Sequence, residues 1–362
     1  MIAISKLELG REELLAVSKV IKSGNLTQGK KVAEFEQAFA KFIGAKYAVA
    51  VSSGTSALYL SLLALGIGKG DEVITTPFSF IASSNAILYT GAKPVFVDID
   101  EKTFNIDTKL IERRITKKTK AILPVHLYGL PCDIKNIISI ARKHQLFVIE
   151  DACQAHGASF GNQMVGTFGN LGCFSFYATK NMTTVEGGMI TTNSQKLAEK
   201  LLLLRNHGSK IKYQHEILGY NFRMTDLNAA MGLEQLKKLQ NSNKIRVNNA
   251  SYLTQHLSKN KNLEVPFVPP EFSHVFHQYT IRLGESINRT KIIAALDKKG
   301  IQTGIYYPIP IHKQKLYQSL GFKDKLPVAE KAAQAVLSLP VHPYLTKTEL
   351  KRIVSALSSI LQ

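Results

Sequence analysis

Short apolar runs alternate with amphipathic stretches along the first two-thirds of the chain. The apolar runs lie at 47–52, 72–75, 94–98, 121–125, 146–150, 172–176 and 188–192, and two helical stretches, 11–22 and 30–43, precede them. Alternating apolar strands and helices are typical of a mostly parallel sheet flanked by helices. The pattern therefore predicts an α/β fold for this part of the chain.

The last third of the chain has a different pattern. A polar stretch, 241–244, predicts a bend or a domain boundary, so that residues 1–240 form a large domain and residues 241–362 a small α+β domain. The predicted elements around it are helices near 195–206, 225–240 and 245–258, a strand near 277–283, and helices near 289–298, 328–337 and 347–360.

Lys180 follows one of the apolar runs and precedes a polar turn that ends in Gly187 and Gly188. Burial at the end of a strand disfavours the charged form of a lysine, and a neutral amine can form a Schiff base with an aldehyde. The alternative is an ordinary surface lysine that happens to follow a strand.

Asp151 follows the apolar run 146–150. In doubly wound sheets, ligands bind at the carboxyl ends of the strands. A lysine and an aspartate at two such ends suit pyridoxal phosphate, because the lysine holds the aldehyde and the aspartate keeps the ring nitrogen protonated. Aspartate is also a frequent helix N-cap, and that role is compatible with the functional one.

A small polar turn around Ser53, Gly54, Thr55 and Ser56 joins the first apolar run to a helical pattern. Backbone N–H groups at a helix start, with the helix dipole behind them, form an anion site, and the two hydroxyl groups add donors. Serine and threonine also cap helices that bind nothing. Together with Lys180 and Asp151, the turn predicts a site for the phosphate of the cofactor.

These motifs, taken in order, resemble those of the DegT/StrS family of pyridoxal-phosphate-dependent sugar aminotransferases. The resemblance implies the fold type I of these transferases, which is aspartate aminotransferase-like, with a mostly parallel seven-stranded sheet, helices on both faces and a small C-terminal α+β domain. The matching segments run along nearly the whole chain, at 53–55, 76–80, 124–129, 150–157, 175–180, 186–188, 219–224 and 307–308.

The resemblance also implies roles for individual residues. Lys180 would carry pyridoxal phosphate covalently and move the proton between substrate and cofactor carbons, with pyridoxamine phosphate as the intermediate. Asp151 would pair with the ring nitrogen, Gln154 would approach the ring hydroxyl, and Phe80 would stack on the ring, although core packing is the more frequent role of a phenylalanine. The predicted phosphate ligands are Gly54, Thr55, Ser56 and Ser175.

In the family, the segment 219–223 reaches into the neighbouring subunit, where Asn221 would contact the phosphate. This implies a homodimer with shared active sites. A turn that starts a helix, with Thr225 as the cap, explains the same residues. Arg223 is a candidate for a substrate contact or for an intrachain salt bridge. Further candidates for the substrate site, each of which can have a structural role instead, are His156, His207, Tyr213, Tyr307 and His312.

The implied reaction moves an amino group from glutamate or glutamine to a keto group of a nucleotide-linked sugar, for amino-sugar, surface polysaccharide or secondary-metabolite biosynthesis. Some relatives are dehydratases with histidine in place of the lysine, so Lys180 favours transamination. The alternatives are a cyclitol or related non-nucleotide ketone as acceptor, and a non-catalytic regulator that keeps the fold. The family often has glycine before Glu186, and Val185 at that position predicts a reshaped loop.

Charge and cysteine usage narrow the picture further. The 362 residues include 46 basic and 27 acidic side chains, a formal charge of +19, and the basic residues are spread along the chain. We predict a basic surface that favours anionic substrates and no nucleic-acid partner, although compositional bias explains the charge equally well.

We predict a cytoplasmic protein without a membrane partner or a metal site. The prediction rests on three widely spaced cysteines, no signal-like N-terminus and no apolar stretch long enough to span a bilayer.

Overall fold

The computed structural model describes residues 1–7 and 9–361. The helices are α1 (Arg11–Ser23), α2 (Lys30–Ile43), α3 (Gly54–Ala64), α4 (Ala82–Tyr89), α5 (Thr108–Ile111), α6 (Ile134–Lys143), α7 (Gln195–Arg205), α8 (Asp226–Leu257), α9 (Arg289–Lys298), α10 (Lys315–Ser319), α11 (Pro327–Ala335) and α12 (Lys347–Ile360). The strands are β1 (Tyr47–Val51), β2 (Glu72–Thr75), β3 (Lys93–Phe96), β4 (Thr119–Leu123), β5 (Phe147–Asp151), β6 (Ser159–Phe160), β7 (Gln163–Met164), β8 (Leu171–Ser175), β9 (Gly188–Thr192), β10 (Ser209–Ile211), β11 (Gln214–His215), β12 (Leu263–Glu264), β13 (Phe272–Ser273), β14 (Tyr279–Leu283) and β15 (Val336–Leu339).

Seven strands form the central sheet in the order β1-β9-β8-β5-β4-β2-β3. β9 is antiparallel to both of its neighbours, and the other neighbouring pairs are parallel. The predicted mostly parallel seven-stranded sheet is confirmed, and each predicted strand begins and ends within two residues of the observed one. Since β5 and β8 are parallel neighbours, their carboxyl ends meet at one edge.

Helices cover both faces of this sheet. Every residue of β8 is buried, and successive residues of a strand point to opposite faces. Cys173 accordingly belongs to a core cluster that includes Leu58 of α3, whereas Phe174 packs with Phe39 of α2 on the other side. This burial on both faces explains why the strands read as continuous apolar runs in the sequence.

The C-terminal part has its own small sheet, β12-β14-β15, whose neighbouring strands are antiparallel. Its core packs Tyr279 of β14 against Leu296 of α9 and Leu357 of α12, and Ile2 from the N-terminus joins the same cluster. The Ile2 N–H donates to the carbonyl of Gly300 at 2.7 Å. This arrangement fits the predicted α+β character of the C-terminal part.

Two details of the predicted helices are wrong. α8 runs without interruption through the polar stretch 241–244, where Ser242 and Asn243 are buried and Lys244 is exposed. The predicted helix 328–337 ends at Ala335, because the following residues pair with β14 as β15. The domain boundary predicted at residue 240 therefore falls inside a helix, and it remains a prediction.

Candidate active site

A cavity of about 340 Å³ lies where the carboxyl ends of β5 and β8 meet the start of α3. This volume is within the range of small-molecule sites, roughly 300–1,000 Å³. The cavity brings together most of the predicted site residues, which are Gly54, Thr55, Phe80, Asp151, Gln154, Ser175, Lys180 and Tyr307.

Asp151 is the last residue of β5, and its position is set by the sheet. Its N–H donates to the carbonyl of Pro124 at 2.9 Å, and its carbonyl accepts from the N–H of His126 at 3.0 Å. Its buried carboxylate accepts a 2.7 Å hydrogen bond from the Ser83 hydroxyl and a 3.1 Å bond from the Cys153 N–H. A buried carboxylate held in this way can pair with a cationic ring nitrogen.

Lys180 lies five residues beyond the end of β8, in the loop between β8 and β9 (residues 176–187, the lysine loop). Its N–H donates to the carbonyl of Tyr177 at 2.9 Å, which closes a turn. Burial lowers the pKa of Lys180, while the nearby Cys153 and Asp151 act in the opposite direction. The lowered pKa favours the neutral amine that nucleophilic attack requires.

The start of α3 forms one wall of the cavity. Ser53 caps the helix, since its Oγ accepts from the N–H of Ser56 at 3.1 Å. A Cβ on Gly54 would lie 2.6 Å from Cβ of Ser175, so only glycine lets the helix start this close to β8. The N–H groups of Gly54 and Thr55 belong to the first helical turn, which has no intrahelical acceptors for them, and they can bind an anion.

Gln154, Tyr307 and Phe80 form a second wall. The Gln154 Oε1 accepts from the N–H of Tyr128 at 2.9 Å, and its Nε2 donates to the Tyr307 hydroxyl at 3.2 Å. The rings of Phe80 and Tyr307 lie 6.2 Å apart, and Phe80 is 55% exposed. Burial and the nearby Asp151 raise the pKa of Tyr307, so its hydroxyl stays protonated.

The structure adds residues that sequence reasoning missed. Ser83 hydrogen-bonds Asp151 from α4, and His277 lines the cavity from the segment before β14. Cys153 and Glu186 line it from within segments that the family motifs contain. Cys153 and Glu186 could have been predicted, because they lie close in sequence to Asp151 and Lys180. Nothing in the sequence links Ser83 or His277 to the site.

Three predicted residues are buried outside the described lining of the cavity. The Ser56 hydroxyl donates to the carbonyl of Ser53 at 2.8 Å within the helix cap. The His156 ring packs against Phe174 and Phe176, and burial lowers its pKa to about 3. The His312 Nε2 lies 3.0 Å from Oε1 of Glu330. In this chain these three side chains make structural contacts, in place of the predicted contacts with the phosphate (Ser56) or the substrate (His156 and His312).

The remaining predicted residues lie on the outer surface of this chain. Tyr213 is 82% exposed at the turn between β10 and β11, and Asn221 is also exposed. The Arg223 Nη1 donates to Oδ1 of Asn206 at 2.7 Å, which is neither the predicted substrate contact nor the alternative salt bridge. The His207 carbonyl lies 2.9 Å from Nδ1 of His215. Within residues 1–7 and 9–361, none of these side chains lines the cavity.

Val185 lies in the lysine loop with a φ of 70°. This left-handed conformation favours glycine and is a genuine outlier for a β-branched residue. The side chain is 52% exposed, and its N–H donates to Oγ1 of Thr183 at 2.8 Å. The loop therefore keeps a backbone shape that suits glycine although valine occupies the position.

Comparison with known proteins decides the family. The model of the DegT/DnrJ/EryC1/StrS aminotransferase family matches residues 8–358. The chain belongs to this family. Members of the DegT/DnrJ/EryC1/StrS family are aminotransferases that depend on pyridoxal phosphate, and the predicted family and fold type are confirmed.

Two relatives and one solved structure illustrate the similarity. The chain is 42% identical over 349 residues to the UDP-N-acetyl-3-dehydro-alpha-D-glucosamine 3-aminotransferase of Acidithiobacillus ferrooxidans, covering 96% of this chain and 93% of that protein. It is 43% identical over 338 residues to the GDP-perosamine synthase of Caulobacter vibrioides, covering 92% and 91%. The crystal structure of S. venezuelae DesV in complex with a ketimine intermediate superposes with a TM-score of 0.93 at 37% identity, covering 97% and 94%.

The cavity fits the cofactor of this DegT/DnrJ/EryC1/StrS family member. When bound, pyridoxal phosphate supplies an aldehyde and a protonated ring that takes up electrons. Lys180 offers an amine with a lowered pKa, and Asp151 offers a buried carboxylate. The close approach of Gly54 to Ser175 leaves free backbone donors beside two hydroxyl groups, those of Thr55 and Ser175. The amine, the carboxylate and the hydrogen-bond donors match the aldehyde, the protonated ring nitrogen and the phosphate of the cofactor, respectively.

Proposed function

We propose that this aminotransferase transfers an amino group from glutamate, or from glutamine, to a keto group of a nucleotide-linked sugar. The observation that carries the proposal is that Lys180 and Asp151 line one cavity with the anion-binding start of α3. The two relatives named above act, by their names, on UDP- and GDP-linked sugars. We assign the pathway to amino-sugar or surface polysaccharide biosynthesis.

In this proposal Lys180 binds the cofactor covalently and moves the proton at the reacting carbon. Asp151 holds the ring nitrogen, Gln154 lies on the side of the ring hydroxyl, and Phe80 covers the ring face. Gly54, Thr55 and Ser175 bind the phosphate. The half-buried amine of Lys180 suits both of its tasks, because its lowered pKa leaves it free to take up a proton.

The proposal includes a second subunit. Asn221 lies outside the cavity of its own chain and is exposed, which suits a residue that completes the site of a partner. A cytoplasmic location is also proposed, and the three free cysteines of the described chain fit a reducing compartment. Among the described residues, no helix is long and apolar enough to span a membrane.

The test is a panel of UDP-, GDP- and dTDP-linked ketosugars and one free keto-cyclitol with glutamate as donor, read by mass spectrometry of the aminated product. We expect amination of at least one acceptor by the wild-type holoenzyme and none by Lys180→Ala. Lys200→Ala is the control, since Lys200 of α7 donates to the carbonyl of Ala64 at the end of α3 and does not line the cavity. Wild-type turnover by Lys180→Ala, or amination of a free cyclitol in preference to every nucleotide sugar, contradicts the proposal.

A further inference from the structure

Side-chain amides of α8 contact the part of the lysine loop between residues 181 and 186. Asn228 Nδ2 donates to the carbonyl of Thr184 at 2.5 Å and to that of Glu186 at 3.0 Å. Gln235 Oε1 accepts from the N–H of Thr183 at 3.2 Å. Asn243, eight positions beyond Gln235, contacts the residue after Lys180. We call Asn228, Gln235 and Asn243 the amide row.

The spacing of the amide row follows from helix geometry. Residues seven or eight positions apart lie on one face of a helix, and the row occupies positions 228, 235 and 243. Gln235 and Asn243 are buried. The polar stretch 241–244, which the sequence suggests as a boundary, is therefore part of a polar face that points into the protein.

Asn181 is the centre of the contact next to Lys180. Its Nδ2 donates to Oδ1 of Asn243 at 2.9 Å and to the carbonyl of Val275 at 3.1 Å. Its Oδ1 lies 3.2 Å from Nδ1 of His277. Asn243 in turn donates from Nδ2 to the carbonyl of His156 at 2.8 Å. Two separate segments, α8 and residues 275–277, thus converge on the residue that follows the reacting lysine.

The tautomer of His277 follows from these partners. Because both hydrogens of Asn181 Nδ2 are donated elsewhere, its Oδ1 accepts, and His277 must donate from Nδ1. Burial, together with the positive charges of Lys180 and Arg246, lowers the pKa of His277 well below its ordinary value. The ring is therefore neutral, and it acts on Lys180 through the Asn181 amide.

We propose that the amide row of α8 holds the lysine loop in place, and that Asn243 and His277 position Lys180 in the cavity through Asn181. The lysine loop lies beyond the ladder of the sheet and has a few backbone hydrogen bonds of its own, and side-chain amides connect it to α8. This inference rests on the proposed role of Lys180 as the reacting amine. It adds residues that do not themselves touch the reacting atoms.

The first test compares two buried asparagines of the same helix. Asn249 donates from Nδ2 to the carbonyl of His342 at 3.0 Å, far along α8 from the lysine loop. We expect Asn243→Ala and Asn249→Ala to lower the melting temperature similarly. Only Asn243→Ala should slow the half-reaction of the holoenzyme with glutamate, by about 10- to 100-fold, because small misplacements of a reacting group have effects of that size.

The second readout needs no cofactor turnover. Reductive methylation of Lys180 in cofactor-free protein, followed by mass spectrometry across pH, reports the apparent pKa of its amine. The ionisable groups around Lys180 are Asp151, Cys153, Glu186, His156, His277, Tyr177, Tyr306 and Tyr307. We expect Asn243→Ala to raise the midpoint, since a looser loop exposes the amine to water, and Asn249→Ala to leave it unchanged. Equal midpoints and equal rates in both variants overturn the proposal.

The third test separates the two nitrogens of His277. In His277→Asn, the amide nitrogen can replace Nδ1 as the donor to Asn181, whereas His277→Gln places its amide near Nε2. We expect the asparagine variant to keep the wild-type methylation midpoint of Lys180 and the wild-type rate of the half-reaction with glutamate. The glutamine variant should have a raised midpoint and a slower half-reaction. If only the glutamine variant kept the wild-type values, Nε2 rather than Nδ1 would be the functional nitrogen. If the two variants behaved identically, His277 would have no part in positioning Lys180. Either result overturns the proposal for His277.

Lys180→Ala separates this inference from the proposed function. If that variant is inactive while the paired variants fail to differ, Lys180 is the reacting lysine and the amide row does not position it. If Lys180→Ala keeps full activity, the proposed function fails first. A variant of Asn243 that does not fold leaves the His277 pair as the deciding comparison.

Discussion

Asp151 and Lys180 face the same cavity, yet the protein positions them in different ways. Asp151 ends a strand, and backbone hydrogen bonds to Pro124 and His126 on a neighbouring segment fix it. Lys180 lies in a loop beyond a strand, and the loop is held by side chains of α8 and by Asn181. One residue is held by the sheet, and the other by long-range amide contacts.

This difference determines how sensitive the position of each residue is to substitutions elsewhere in the protein. A residue in a ladder shares its position with the whole sheet, so distant single substitutions disturb it little. A residue held by three or four side-chain hydrogen bonds depends on each partner, and a net contribution of about 0.5–1.5 kcal/mol per bond leaves a small margin. We therefore expect the lysine loop to be the more sensitive of the two segments.

The largest effect should come from Asp151→Asn, which keeps the strand intact and removes only the charge. We expect activity to fall by about 10²- to 10³-fold, the usual size for loss of one group that stabilises charge in a transition state. The pKa of Lys180 should fall further, because the Asp151 carboxylate opposes the effect of burial. Methylation of Lys180 across pH would show a lower midpoint.

Ser83→Ala is the matched control for this variant. It removes the 2.7 Å hydrogen bond to the Asp151 carboxylate and leaves the charge in place. Activity should fall much less, and the Lys180 midpoint should stay near its wild-type value. A midpoint that rises in Asp151→Asn would show that the two groups do not interact as the geometry requires.

The same difference explains what the sequence predicted. Asp151, Ser53 and Gly54 lie at strand ends or helix starts, and apolar runs with polar ends identify such positions. Lys180 also follows an apolar run, and the resemblance to the family then favoured a reacting lysine over an ordinary surface lysine. The seven strands were predictable for the same reason, since burial on both faces makes each one a separate apolar run.

Contacts between distant segments could not be predicted. The amide of Asn243 meets Asn181 across 62 positions, and the polar stretch around it resembled a linker. His312 was a plausible ligand by type, and only packing shows that it meets Glu330 instead. Hydrophobic patterns report burial along one element, and they contain no information on which buried polar groups pair.

Substitution of His312 tests a contact that belongs neither to the Asp151 strand end nor to the lysine loop. We expect His312→Ala to lower the free energy of unfolding by about 1–3 kcal/mol, because it removes a buried ring that packs against Phe96 and hydrogen-bonds Glu330, and to leave KM and kcat unchanged. Burial raises the pKa of Glu330, but hydrogen bonds from His312 and the Leu326 N–H outweigh it and lower that pKa from 4.5 to about 2. Stability from this lowered pKa is present above pH 4.5 and is lost as the pH falls towards 2.

The stability difference between His312→Ala and wild type should therefore shrink on acidification through that window. Urea unfolding at neutral pH and at several acidic values measures it. His256→Ala is the control, since that ring is exposed on α8 and contacts the carbonyl of Tyr252. A change in KM for the nucleotide sugar in His312→Ala would return His312 to the substrate site.

Val185 should give the smallest effect, and it tests the lysine loop from the backbone side. Glycine at this position removes backbone strain of roughly 1–3 kcal/mol in the folded state. It also increases the conformational entropy of the unfolded chain, which costs about 0.4–1 kcal/mol of stability. Val185→Gly should therefore stabilise the protein by about 1 kcal/mol. Val185→Ala keeps a Cβ at a φ of 70° and should not stabilise it. Thermal unfolding of the two variants decides, and equal gains in both would mean that removing an exposed side chain, rather than relieving strain, is the cause. If the amide row rather than the strained residue sets the loop, the Lys180 methylation midpoint should stay unchanged in both variants.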